Sequence, residues 1–159
     1  MQKTFFFLLF ISFLATGCAS MKQNRWLSEH HKKLQALADS NVSAEQKLNG
    51  MVQDYVLFMK EDLKFADPVK GVKYVKKYHH ENEAAMDKIL HESEQWQGKL
   101  NLTEKLTTGV RFVQKPYFKD LVELAPKFKR KYKQYAFAVK LASKVTGGLT
   151  KLAGKELGD

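Results

Sequence analysis

Apolar residues in this chain recur at intervals of three and four, and nowhere do they alternate with polar ones over six or more positions. A period near 3.6 lays one stripe along a helix, whereas a half-buried strand needs a period of two. That pattern restricts the chain to an all-α fold. Trp26, Leu27, His30, Leu34, Leu37 and Ala38 form the first stripe and predict a helix over residues 24–38. "DSNVSAEQ" interrupts it, and Ser43 with Gln46 three places on has the spacing of a capping box. A second helix then carries Leu48, Met51, Val52, Tyr55, Val56, Met59 and Leu63.

Asp67-Pro68 pairs an acid suited to an N-cap with a proline at the first helical position. The long third helix that follows turns Val72, Val75, Tyr78, Met86, Ile89, Leu90 and Trp96 inward and runs to about Gln97, with Gly98 as its stop. Thr103 is the expected cap of a fourth helix carrying Leu106, Val110 and Val113. Pro116 should kink or end it, because proline removes a backbone bond and clashes with the preceding turn. Tyr117 to Leu124 then make a short piece, and Pro126 is expected to open the last long helix, through Phe128, Tyr132, Tyr135, Val139, Ala142 and Val145. Gly147-Gly148 interrupt that helix, and Leu149, Leu152, Ala153 and Leu157 continue at helical spacing weakened by Gly154 and Gly158. The expected architecture is a helical bundle of about four main helices, with a basic amphipathic C-terminal helix and a frayed tail.

The first residues follow a different logic. Lys3 gives a positive start, Phe5 to Ala15 is an apolar block without a charge, and Thr16 and Gly17 are small. Basic, apolar, small is the order of a secretory signal peptide, and the block is shorter than the roughly 20 residues a membrane span needs. Its end, Ala15-Thr16-Gly17-Cys18, resembles the cleavage box of bacterial lipoprotein precursors, with Ala15 where leucine is more usual. The resemblance covers about the first 20 residues. It implies cleavage before Cys18, diacylglycerol on the Cys18 sulfur and a fatty acyl group on its new amino group. With Ala19 and Ser20 following, it also implies the outer membrane facing the periplasm ahead of the inner one. The expected organisation is a cleaved signal at 1–17, a lipidated tether at 18–23, a bundle domain at 24–146 and an amphipathic tail at 147–159.

Removing residues 1–17 leaves 142 residues, enough for one domain with a real core, and takes away five of the 11 phenylalanines. With Cys18 acylated no other cysteine remains, so the domain must fold without disulfides. Losing Lys3 takes the net charge from +10 to +9, and the stretch from Lys115 to Asp159 accounts for +7 of it. "KFKRKYKQY" places Lys127, Lys129, Arg130, Lys131 and Lys133 among Phe128, Tyr132 and Tyr135. At helical spacing the rings face inward and the cations outward. In a cytosolic protein such a run suggests nucleic acid. Behind a lipoprotein signal the accessible anions are phospholipid head groups, lipopolysaccharide phosphates or an acidic envelope protein, and nucleic acid is not expected.

Catalytic signatures are missing. There is no Gly-x-Ser-x-Gly elbow, phosphate-cradling glycine loop or His-Glu-x-x-His motif, so a non-catalytic binding or structural module is expected. A protective or exclusion lipoprotein of the immunity type is a second class. A metal-dependent bundle enzyme is the third: His80, Glu83, Asp87, His91 and Glu94 fall within about 80° of one another on the third helix. Carboxylate-bridged bundles repeat Glu-x-x-His on two helices, however, and here the order is His80-x-x-Glu83, once. A charged stripe of that kind is expected to be a solvated face, with no metal and no cofactor. His79 and Asn82 interrupt the apolar face between Val75 and Met86. In the interior they would need partners, fixing register or lining a polar cavity. The expectation is that they lie at the edge of the stripe and meet water.

Overall fold

The computed structural model describes residues 22–64 and 68–132, and the side chains within them except at 68–70. The described residues are helical with no strand among them. Residues 22–39 form α1, followed by α2 (Ala44–Asp62), α3 (Pro68–Lys99), α4 (Leu102–Val113) and α5 (Pro116–Lys131). The all-α bundle read from the periodicity is therefore the fold, with five helices in place of about four.

Each boundary has a local cause. Ser43 and Gln46 close the capping box that their spacing implied, and α2 begins one residue later. The fourth helix is capped by Asn101 and not by Thr103: the Asn101 side chain accepts from the Glu104 amide while Glu104 reaches back to the Asn101 amide. Thr103 and Asn101 are both good cap residues, and only Asn101 has a carboxylate three places on to complete the reciprocal pair. Pro116 occupies the first turn of α5, where its missing N–H costs nothing. Pro126 does not open a helix but lies inside α5. An interior proline costs on the order of 3 kcal/mol. Leu121 and Ala125 before the proline and Phe128 and Tyr132 after it, at i, i+4, i+7 and i+11, are all buried, and keeping them in register outweighs the defect.

The core is an aromatic stack between α1, α2, α3 and α5. Phe58 lies flat on Tyr78, ring centroids 3.8 Å apart, and touches Tyr74 and Phe128. Trp26 closes the stack by lying parallel to Tyr74. Neighbouring helices alternate in direction: Trp26 meets Phe58 and Ala38 meets Lys47 across α1 and α2, while Tyr55 meets His79 and Lys47 meets Glu92 across α2 and α3. α5 runs parallel to α2, since Tyr117 bonds Asn49 and Lys131 bonds the Asp62 carbonyl.

Two ends of the bundle follow from these pairings. One gathers residue 22, the C-terminus of α2, the start of α3 and the C-terminus of α5. There Tyr132 covers Gly71 so closely that a Cβ on Gly71 would collide with its hydroxyl. The other end gathers the α1–α2 turn, the C-terminus of α3, all of α4 and the start of α5. There Arg111 of α4 pairs with Glu45 at 3.3 Å.

α4 departs most from expectation. Only Thr108, Gly109 and Phe112 face the core. Leu106, Val110 and Val113, read as its apolar stripe, are exposed, together with Leu102, which is 74% exposed. A 12-residue helix docked by a single ring leaves its other apolar positions outside.

Candidate functional site

The basic segment of α5 is split by the fold into inward-tied and free cations. Phe128 and Tyr132 are buried, as their spacing implied, while Tyr135 and Lys133 lie outside the described residues, as does Cys18. Lys131 is turned under the helix end, donating to the Asp62 carbonyl at 2.7 Å and standing 3.6 Å from its carboxylate. Burial pushes the Asp62 carboxyl up, opposed by a hydrogen bond from the Tyr132 hydroxyl and by the Lys131 charge. Lys127 is exposed and pairs with Glu123 one turn back at 2.8 Å. Lys129 and Arg130 are exposed and enter no ion pair among the described residues, and Lys115 and Lys119 extend the same outer face of α5 toward its start. Of the four described cations read from "KFKRKYK", two are therefore available to an external anion and two are held by the protein's own acids.

The pair Lys129 and Arg130 lies at the end of the bundle where α1 begins, and two shallow hollows involve the first turns of α1. One, of about 490 Å³, runs between α1, α2 and α5, with Trp26, Leu57 and Leu124 as walls and Lys33, Lys60 and Lys64 at its rim. The other, of about 470 Å³, lies over Trp26 and Tyr74 and is rimmed by Lys22, Arg25 and Lys64. Glu29 and Glu61 temper both rims, bonding Arg25 and Lys64 respectively.

A buried polar cluster forms the floor of the first hollow. Asp54, 1% exposed, accepts from His30 Nδ1 at 2.6 Å and from the Tyr78 hydroxyl at 3.2 Å, with Lys33 Nζ 3.3 Å from its second oxygen. Buried charges persist only where they are paired and hydrogen-bonded, and here one carboxylate ties α1, α2 and α3 together. The sequence reading placed His30 on the apolar stripe of α1 but passed over Asp54. The signal was an acid set between Val52 and Tyr55, in the apolar run of α2, with a histidine on the neighbouring stripe.

Asn82 corrects the reading of a solvated edge, while His79 lies half-buried at that edge. Asn82 is fully buried and donates to the Tyr78 carbonyl at 2.8 Å, and His79 Nε2 meets the Tyr55 hydroxyl at 3.2 Å. Burial lowers the His79 pKa to about 4, so the imidazole is neutral at pH 7. Burial pushes the Tyr55 pKa well up, so its hydroxyl keeps its proton beside the imidazole.

His80, Glu83, Asp87 and His91 do share one exposed face of α3. His91 Nε2 contacts the Gln95 side chain at 3.0 Å. Among the described residues no group of three or more His, Cys, Asp or Glu side chains converges as a metal site would. Nor is any described helix long and apolar enough to cross a membrane.

No protein-family model matches the chain, and neither the curated proteins nor the solved structures include a significant match to it.

Proposed function

We propose that the chain is a lipid-anchored envelope protein, tethered at Cys18, whose helical domain is a non-catalytic binding module that presents Lys129 and Arg130 to an anionic surface. The observation that carries the reading is spatial. These two unpaired cations lie at the same end of the bundle as residue 22, four positions after the proposed attachment site. Anionic lipid is the first candidate for that surface, ahead of lipopolysaccharide phosphate or an acidic protein. Acyl chains hold a protein durably only when two or more are present, and each Lys or Arg near an anionic leaflet contributes about 1 kcal/mol. A few cations beside the anchor thus orient a domain already held there.

Two measurements test it. The intact mass of the mature protein should correspond to a chain beginning at Cys18 plus diacylglycerol and an acyl group, and a chain without that mass would remove the tether. The unacylated Cys18→Ser mature chain should bind vesicles containing anionic lipid at low salt and release at about 0.5 M salt, where the Debye length falls below about 5 Å. Lys129→Glu with Arg130→Glu should abolish that binding, while equal retention by neutral vesicles would overturn the electrostatic reading.

A further inference from the structure

The end of the bundle opposite residue 22 carries a surface of another kind. Leu102, Leu106, Val110 and Val113 account for four of the six large apolar side chains exposed among the described residues. At 100° per residue they fall within about 80° of one another, a straight stripe running roughly 17 Å along α4. Scattered exposed leucines need no explanation, but a contiguous apolar stripe on a soluble face marks an interaction site.

The charges around it narrow the occupant. From Gly98 to Lys119 there are five cations, Lys99, Lys105, Arg111, Lys115 and Lys119; Arg111 is paired with Glu45 of α2, which leaves four against one acid, Glu104, which is spent on the Asn101 cap. A second copy of the chain would bring the same cations against them, and like charges across an interface cost several kcal/mol. The stripe is also too small for a self-sufficient dimer, since four side chains cover a few hundred Å² where stable interfaces bury about 800 Å² a side. A straight stripe of this width is what one helix offers another when side-chain ridges interlock. The geometry points to α4 as a docking face for an amphipathic α-helix of a partner protein, its apolar seam on Leu102, Leu106, Val110 and Val113 and its flanks acidic. This goes beyond the anionic-surface reading and stands whether or not Cys18 is acylated, because it concerns the other end of the molecule.

The test uses the full mature chain carrying Cys18→Ser and Leu106→Cys, with a polarity-sensitive dye on the new thiol. A matching chain with Leu57→Cys reports on an exposed leucine away from α4. The probes are two peptides of about 20 residues, long enough to be helical. Both have one leucine seam, flanked by glutamate in the first and by lysine in the second. The dye should be dim alone and brighten with the acidic peptide, which should bind about tenfold or more tightly than the basic one, with no change at Leu57→Cys. In unlabelled protein, Leu106→Asp should weaken acidic-peptide binding by about tenfold or more while leaving the urea midpoint within experimental error.

Three results would overturn the proposal. A dye bright in the monomer means the chain's own residues cover the stripe. Brightening with protein concentration means a second copy does. Brightening with phospholipid vesicles at about 0.5 M salt, without discrimination between the peptides, means that α4 faces lipid.

Discussion

Asp54 is the residue on which three helices depend. Its carboxylate takes the His30 and Tyr78 bonds. Asp54→Ala should therefore destabilise the domain by about 3 kcal/mol or more, measured by urea unfolding, and Asp54→Asn should cost less because an acceptor survives. His79 gives the stability a pH dependence of known sign. Its pKa is about 4 in the fold against an ordinary 6.5, so the cation is disfavoured in the folded state. The stability from a neutral His79 is complete above pH 6.5 and is lost as pH falls toward 4, a change on the order of 2–3 kcal/mol. The difference between wild type and His79→Gln in urea titrations at pH 7 and pH 4.5 isolates this group from Asp62, whose raised carboxyl pKa acts in the opposite direction.

Among the elements, the start of α2 and the buried stripes of α2 and α3 were legible because they rest on side chains within one turn. Ser43–Gln46, the α2 stripe and the inward face of α3 all stand where spacing put them. Asn101→Ala should cost about 1 kcal/mol by loss of its cap, while Thr103→Ala should change stability by only a few tenths. What spacing could not decide was which of two apolar faces finds a neighbour. On α4 the stripe Leu106–Val110–Val113 and the face of Thr108, Gly109 and Phe112 both satisfy the helical period, and only the position of α5 selects the second. The same holds for Pro126, where tertiary register overrides a local breaker. Close approach is equally invisible in sequence. Gly71→Ala should destabilise by about 1–3 kcal/mol because the Tyr132 ring blocks the new Cβ, and Tyr132→Phe should return part of the loss. Gly50→Ala meets only the mobile end of Leu37 and gains helix propensity, so it should be close to neutral.

At the scale of the whole molecule, the site residues separate by end. The basic run was visible in composition, but which cations are free depended on where Asp62 and Glu123 lie, and Lys131 and Lys127 are consumed by them. Two remote surfaces should then behave additively. Lys129→Glu with Arg130→Glu should lower vesicle binding without affecting the acidic peptide, Leu106→Asp should do the reverse, and the combined variant should show the sum of both losses in the same assays.

The length of α1 has one further consequence. Its 18 helical residues from 22 to 39 measure about 27 Å at 1.5 Å per residue, and they separate the start of the described chain from the end that carries α4. If the chain stands on its anchor, that helix is a ruler. It sets the height above the lipid at which a partner is met, and it does so with a rigid rod whose reach does not fluctuate as a flexible linker's would.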